Sequence, residues 1–216
     1  MNDYHIANSF SAGNDESERL ALEECARRQR VGERVSVLII PAGQCRLACK
    51  FARLGASVTV GDRPEARDEV EKCACAAELG EQIRFTPCDL TALPAEPPGQ
   101  PYDIIVLRRG LCHIPYEPAR GIIHQLLQQL KIGGKLYITV LGLYSELGDG
   151  YAARDLPVEE RLAPLAPALV EKYGIDLPVC LYTERNLFML LLEAGGSVLR
   201  TMTTTYGNVK GVAVRI

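Results

Sequence analysis

Short apolar runs alternate with amphipathic segments along most of the chain. Nearly continuous apolar runs at 35–40, 57–60 and 102–107 predict strands that are buried on both faces, and runs at 82–89 and 135–142 predict two more. The segments between them have the apolar spacing of helices, and two of these end at Gly55 and Gly80. Strands joined in turn by helices predict a doubly wound α/β sheet, mostly parallel, with helices on both faces.

The two ends of the chain depart from this alternation. Residues 14–30 form an amphipathic pattern with acids first and arginines last, which predicts a helix. The last twenty residues contain two β-rich runs around Gly207 and Asn208, which predict a C-terminal antiparallel hairpin. Residues 157–173 have a helical pattern, but Pro164 and Pro167 break it into short pieces. A further helix is predicted at 184–193.

These elements predict one domain over residues 1–216. Within it, we expect 1–30 to form an N-terminal helical cap or lid and 31–142 to form the α/β core, where such sheets bind a cofactor. We expect 143–182 to form an insertion beside that core, on the side where a substrate would bind, and 183–216 to form the last helix and the hairpin.

Composition narrows the class of partner. The chain has 216 residues, 47% hydrophobic and 24% charged, with a net charge of -3, as in ordinary globular proteins. A mildly acidic chain lacks the basic surface of a nucleic-acid-binding domain. No apolar stretch is long enough to span a membrane, and the first residues do not resemble a secretion signal. We therefore expect a cytoplasmic protein that acts on small molecules, with no nucleic-acid or membrane partner; the sequence does not indicate an oligomeric state.

Eight cysteines are present, but no two of them form a CxxC pair. Cys45 and Cys49 lie four residues apart and share a face of a predicted helix, whereas Cys73 and Cys75 do not. The pattern favours reduced thiols that pack as small hydrophobic side chains over a soft-metal site, so we expect no metal.

Two acidic residues follow predicted strands. Asp62 ends the second strand, nineteen residues after Gly43, which is the spacing of a βαβ unit that binds an adenosine ribose. Asp89 ends the third strand. Each has an alternative interpretation, a solvated helix cap before Pro64 for Asp62 and a local Asx-turn for Asp89.

Five sequence blocks in order resemble a known family. They are VLIIPAGQCRLA, VTVGD, FTPCDL, YDIIVLRRGLCHIP and LLQQLKIGGKLYITV. Together with the terminal hairpin, they are similar to class I S-adenosylmethionine-dependent methyltransferases of the small single-domain type, over about residues 31 to 216. The resemblance implies a Rossmann-like sheet, S-adenosylmethionine as the cofactor and methyl transfer to a small-molecule acceptor.

The same resemblance assigns site residues. Asp62 would bind the ribose hydroxyls, Asp89 the adenine amino group, and the Leu90 N–H the adenine ring. Arg108, at the end of the fourth strand with Leu107, would face the methionine carboxylate or an acidic substrate, or be a surface charge only. His113 would act as a base or, alternatively, cap or pack a helix. The full cofactor set is Ala42, Gly43, Cys45, Asp62, Arg63, Asp89, Leu90, Leu107 and Arg108, and the substrate-side candidates are Tyr4, Tyr144, Tyr151 and Tyr182.

The first block departs from the family pattern at three positions. Ile39 stands where the family has an acid, and Pro41 and Cys45 stand where it has its first and third glycines. Two lost polar contacts at roughly 1–1.5 kcal/mol each weaken binding by about one to two decades without abolishing it.

Three functions therefore remain in view. The retained acids favour an active methyltransferase, whereas the altered loop fits a non-catalytic binding or regulatory protein on the same scaffold. Asp62 also suits an NAD-dependent oxidoreductase, but the hairpin and the last two blocks do not.

Overall fold

A seven-stranded sheet forms the centre of the computed structural model, which describes residues 16–43, 45–93 and 101–216. The strands are β1 (Ser36–Ile40), β2 (Ser57–Asp62), β3 (Ile83–Pro87), β4 (Tyr102–Arg108), β5 (Leu130–Val140), β6 (Leu162–Ala163), β7 (Val179–Cys180), β8 (Ser197–Thr203) and β9 (Val209–Val214). Their order in the sheet is β3-β2-β1-β4-β5-β9-β8, and β6 pairs with β7 separately. The first five strands are parallel and β9 is antiparallel to both of its neighbours, so the mostly parallel sheet with an antiparallel terminal hairpin is confirmed.

Helices cover both faces of this sheet. They are α1 (Glu16–Arg30), α2 (Arg46–Arg53), α3 (Arg67–Ala76), α4 (Tyr116–Gln128), α5 (Pro167–Tyr173) and α6 (Glu184–Glu193). Apolar side chains of α1, α2 and α3 pack in one cluster with one face of the sheet, and those of α4 and α6 pack in a second cluster with the other face. The doubly wound architecture predicted from the sequence is thus present.

Successive side chains of β1 point to opposite faces of the sheet, and both faces are buried, which explains why its sequence is a continuous apolar run. Val37 and Ile39 belong to the cluster on one face, while Leu38 and Ile40 belong to the cluster on the other. All four side chains are buried. Each contributes about 1.5–3 kcal/mol relative to an exposed side chain, so a polar residue in this strand is costly on either face.

Helix α1 docks through an ionic cluster as well as through its apolar side chains. Glu24, which is 6% exposed, receives hydrogen bonds from Arg27, Arg28 and Lys135 at 2.7–2.9 Å. Arg28 also contacts Asp103 of β4. Burial raises the pKa of Glu24, but the hydrogen bonds outweigh that effect and lower its pKa to about 2. The cluster therefore fixes α1 against β4 and β5 as long as Glu24 is ionised.

The predicted start of the fifth strand was wrong. Strand β5 begins at Leu130, not 135, because Leu130 pairs with Tyr102 before a register shift in the β4–β5 ladder. Helix α4 consequently ends at Gln128, and the Gly133–Gly134 pair lies inside the strand. Between β2 and α3, a 3₁₀ turn at Pro64–Ala66 leads into α3 at Arg67.

The segment after β5 has a small apolar core of its own. Leu147, Tyr151 and Leu165 pack with Val179 and other buried residues of the segment. The predicted broken helix is divided into a 3₁₀ turn at Val158–Glu160, strand β6 and helix α5. Across residues 16–43, 45–93 and 101–216, no helix is both long enough and apolar enough to cross a membrane.

Candidate active site

A cavity of about 610 Å³ lies where the carboxyl ends of β1 to β4 meet. The sheet order reverses between β1 and β4, and open α/β sheets bind ligands at such a point. The residues that line the cavity are Ile40, Pro41, Asp62, Arg63, Pro64, Glu65, Pro87, Cys88, Asp89, Leu90, Arg108, Arg109, Gly110, Cys112 and His113. Of the predicted cofactor residues, Asp62, Arg63, Asp89, Leu90 and Arg108 are among them.

Asp62 connects the end of β2 to the loop after β1. One carboxylate oxygen accepts the Ala42 N–H at 2.9 Å, and the other accepts the Arg63 N–H at 2.8 Å. A carboxylate oxygen has two lone pairs, so each oxygen retains one that can accept a ligand hydroxyl. Asp62 therefore positions the loop and still presents an acceptor to the cavity.

Asp89 begins the 3₁₀ turn at Leu90–Ala92. Its Oδ1 accepts the Thr91 hydroxyl at 2.7 Å and the Thr91 N–H at 2.8 Å, and these hydrogen bonds lower the pKa of Asp89. This is the local turn that the sequence offered as the alternative interpretation. The carboxylate is exposed and lines the cavity, so it is ionised and accessible to a donor on a ligand.

Gly43 and Cys45, after β1, both have the backbone conformation that favours glycine, although only Gly43 is a glycine. Gly43 has a φ of 55°, and a Cβ added to it would lie 3.3 Å from Nη1 of Arg108. Cys45 also has a φ of 55°, which costs a residue with a Cβ about 1–2 kcal/mol. Four of the predicted cofactor residues do not line the cavity: Ala42, Gly43, Cys45 and Leu107. The side chains of Ala42, Cys45 and Leu107 are buried.

Arg108 forms an ion pair that the sequence did not predict. Its Nη2 lies 3.1 Å from Oε1 of Glu18 on α1, beside Gly43. Both side chains are largely buried, at 21% and 16% exposure. Glu18 lies on a polar helix far from Arg108 in the chain, and no local pattern marks it.

His113 has a defined tautomer in the neutral state. Its Nδ1 lies 2.8 Å from the carbonyl oxygen of Pro178, and because a carbonyl only accepts, Nδ1 carries the proton. The lone pair is then on Nε2, which is buried and has no hydrogen-bond partner among the residues that the structure describes. His113 lines the cavity, and its buried Nε2 retains a lone pair that no described group occupies.

Comparison with known proteins was made at the levels of sequence and structure. No protein-family model matches the chain, and no curated protein matches it at a significant level. Solved structures do match. A methyltransferase from Methanosarcina mazei is 21% identical with a TM-score of 0.66, over 88% of this chain and 96% of that one. The chain has the class I methyltransferase fold.

Two further methyltransferase structures match the same fold. The Burkholderia thailandensis 1,6-didemethyltoxoflavin-N1-methyltransferase, with bound 1,6-didemethyltoxoflavin and S-adenosylhomocysteine, is 20% identical with a TM-score of 0.66, over 98% and 83% of the two chains. The N,N-8-amino-8-demethyl-D-riboflavin dimethyltransferase of Streptomyces davawensis is 14% identical with a TM-score of 0.61, over 93% and 55%. The chain spans about half the length of several such methyltransferases. The family resemblance seen in the sequence is confirmed at the level of the fold.

The cavity of this methyltransferase fold suits the cofactor that the resemblance implies. Its volume lies in the range of ordinary small-molecule sites. Asp62 and Asp89 offer acceptors for hydroxyl and amino groups, and Arg108 offers a positive charge for a carboxylate. Glu18 pairs with Arg108 but does not line the cavity. The residues present therefore fit S-adenosylmethionine.

Three of the four predicted substrate-side tyrosines lie away from the cavity. Tyr144 is 68% exposed, whereas Tyr151 and Tyr182 are buried. The Tyr151 hydroxyl lies 3.0 Å from the carbonyl oxygen of Arg161 and 2.6 Å from that of Val179. None of these three lines the cavity, and Tyr4 lies outside the described residues. Their role in binding a substrate stays a prediction.

Proposed function

We propose that this protein transfers a methyl group from S-adenosylmethionine to a small-molecule acceptor that loses a proton. The main support is a single cavity that brings together two strand-end carboxylates and a histidine whose Nε2 has no partner in the described part of the chain. The fold supports it too, since structural neighbours carry such names, one with its substrate and S-adenosylhomocysteine bound. Fold alone does not fix chemistry, so the proposal depends on the cavity.

The adenosine part of the cofactor would lie against the ends of β2 and β3. Asp62 would accept the ribose hydroxyls through the lone pairs left by its bonds to Ala42 and Arg63. Asp89 would accept the adenine amino group, and the adjacent Leu90 would contact the ring.

The amino-acid part of the cofactor would lie near the end of β4. Its carboxylate suits Arg108, and its ammonium suits Glu18, which stands beside Arg108. Glu18 would supply the negative charge that the family obtains from the strand-one acid, replaced here by Ile39. The Arg108–Glu18 pair thus compensates in part for the altered first block.

The bound cofactor supplies an electrophilic methyl group on a sulfonium, and the chain supplies orientation and a base. A hydroxyl or amino group on the acceptor becomes a better nucleophile as its proton leaves. His113 would take that proton on Nε2, because its Nδ1 proton is held by Pro178. Positioning in the cavity would provide the larger share of the acceleration.

Calorimetric titration tests the cofactor assignment. S-adenosylhomocysteine should bind the wild-type protein, and Asp62→Ala should weaken binding at least tenfold because acceptors for the ribose hydroxyls are lost. Glu65→Ala is the matched control, since Glu65 lines the same cavity as an acid without a predicted contact, and it should bind as the wild type does.

Three outcomes would contradict the proposal. No heat with S-adenosylmethionine or S-adenosylhomocysteine, in protein with a cooperative melting transition, would exclude the cofactor. Binding of NAD instead would favour an oxidoreductase. Equal affinity in wild type and Asp62→Ala would mean that the adenosine lies elsewhere.

A further inference from the structure

Three cysteine sulfurs meet behind the loop that follows β1. The sulfur atoms of Cys45, Cys49 and Cys73 all lie within 4.8 Å of one another, and those of Cys49 and Cys73 are 3.9 Å apart. Cys45 and Cys49 are buried and Cys73 is partly buried. Neither the cavity lining nor the proposed methyl transfer uses any of the three.

Local structure explains how the three residues converge. Cys45 precedes α2 in the left-handed conformation, and Cys49 follows one turn later, with its N–H donating to the Cys45 carbonyl at 3.1 Å. This places both side chains on one side of the N-terminal turn of α2. Cys73 reaches them from α3, and its neighbour Cys75 is exposed. The cluster is therefore held by two helices.

The spacing of the sulfurs matches that of a metal site with three sulfur ligands. Thiolates bind thiophilic centres at about 2.3 Å, so three sulfurs on one centre are separated by about 4 Å if it is planar and by somewhat less if it is pyramidal. The Cys49 and Cys73 sulfurs are 3.9 Å apart and no pair of the three exceeds 4.8 Å, so a small inward movement of the side chains completes the site. A disulfide would require two of the sulfurs to approach to about 2.05 Å, which is a larger displacement than binding an ion.

The ligand set also restricts the kind of ion. Closed zinc sites take four protein ligands, and in the described part of the chain no further His, Asp, Glu or Cys joins this group. Three thiolates buried together are best neutralised by a trivalent centre, since a net charge left in the interior is costly.

We propose that Cys45, Cys49 and Cys73 form a binding site for one thiophilic trivalent centre with three sulfur ligands, of the class of arsenous or antimonous acid. The reaction balances without an oxidant. With arsenous acid, three S–H bonds and three As–O bonds break, three As–S bonds form, and three water molecules leave. Arsenic remains trivalent and no net charge is buried. The site is independent of the proposed methyl transfer.

Binding should stabilise the N-terminal end of α2. An ion shared by Cys45, Cys49 and Cys73 would link the loop 41–45 and α2 to α3. Since only the folded chain brings the three sulfurs together, occupancy should raise the melting temperature with increasing ligand concentration.

The test uses the full chain kept reduced with a phosphine, and arsenite as the probe. We expect one arsenic per chain after gel filtration, with three sulfur neighbours by X-ray absorption and a higher melting temperature. Cys49→Ser and Cys73→Ser should each weaken binding at least tenfold. Cys75→Ser is the matched control on the same helix and should bind as the wild type does.

Cys45→Gly keeps the proposal testable should the serine variants fail to fold. Glycine favours the positive φ of position 45, so this variant loses the ligand while the loop keeps its conformation. It should not bind arsenic with three sulfurs. No retained arsenic in the wild type would overturn the proposal. Equal arsenic binding by the wild type and all variants would also overturn it. So would a Cys88→Ser variant that loses arsenic while Cys73→Ser retains it, because Cys88 lines the cavity and is not part of the cluster.

Discussion

The imidazole of His113 is oriented by a residue of the segment after β5, not by its own part of the sheet. The carbonyl oxygen of Pro178 accepts a hydrogen bond from the Nδ1–H group, with 2.8 Å between nitrogen and oxygen. The lone pair of the imidazole is therefore on Nε2. The sequence marks His113 only as a titratable residue after the fourth strand. Which nitrogen is basic depends on Pro178, which lies far along the chain and has no sequence feature that indicates this contact.

His113→Asn should lower kcat about 10²–10⁴-fold and leave the affinity for S-adenosylhomocysteine unchanged. The asparagine amide can still donate to Pro178, but it offers no basic nitrogen. The measurement is the rate of S-adenosylhomocysteine release, with an acceptor found by screening.

His124→Asn is the control for this experiment. His124 makes a similar contact, with Nδ1 3.0 Å from the carbonyl oxygen of Ala194, and does not line the cavity. Its kcat should equal that of the wild type. If the kcat of His113→Asn equals that of the wild type, His113 is not a base and only packs within the fold.

Among the elements, α1 shows how a polar helix can be firmly docked. The buried residues of α1 are Ser17, Ala21, Glu24 and Cys25, only two of which are apolar. Its attachment depends on the contacts of Glu24 and Arg28 with Lys135 and Asp103. The amphipathic pattern predicted the helix, but the ionic partners come from β4 and β5 and were not predictable from spacing.

Glu24→Gln should destabilise the protein on the order of 2 kcal/mol at neutral pH, with a smaller difference in acid. Because folding lowers the pKa of Glu24 from 4.5 to about 2, its contribution is complete above pH 4.5 and is lost as the pH falls towards 2. Denaturant unfolding of both proteins at pH 7, 5 and 3 measures this.

Glu23→Gln is the comparison for that series. Glu23 pairs with Arg19 on the exposed side of α1, and such pairs contribute little. Its unfolding free energy should differ from that of the wild type by less than about 0.5 kcal/mol at each pH. A Glu24→Gln difference that does not depend on pH would contradict the assigned role.

At the scale of the whole molecule, the turn of the terminal hairpin packs directly on the loop after β5. A Cβ added to Gly142 would lie 1.6 Å from the carbonyl oxygen of Gly207, so the two backbones touch. The parallel core, the insertion and the hairpin thus meet at one point near the carboxyl end of β5. The sequence predicted the hairpin but not this contact.

Gly142→Ala should therefore destabilise the protein by about 3 kcal/mol or more, because backbone atoms cannot yield as a flexible side chain does. Thermal and denaturant unfolding measure the loss. Gly121→Ala is the control, since a Cβ there meets nothing within 4 Å and the residue lies inside α4. It should leave stability unchanged or raise it by up to about 1 kcal/mol.

The sequence by itself determined the strands of the main sheet, most of the helices around it and the doubly wound fold. Apolar periodicity and glycine positions act on neighbouring residues, so strands such as β1 can be read from the chain. It also located Asp62, Asp89 and Arg108 at strand ends, and the parallel sheet brings these ends to one cavity. The start of β5 was missed because it depends on pairing with Tyr102.

Only the tertiary structure decided which side chains meet. The Arg108–Glu18 pair, the Pro178 contact of His113 and the cluster of Cys45, Cys49 and Cys73 each join residues from different elements. Loop 41–45 illustrates the difference. In the sequence, Cys45 is a lost glycine, whereas in the fold it keeps the glycine-like backbone while its sulfur joins the cluster behind the loop. Such contacts depend on chain packing, which local patterns do not encode.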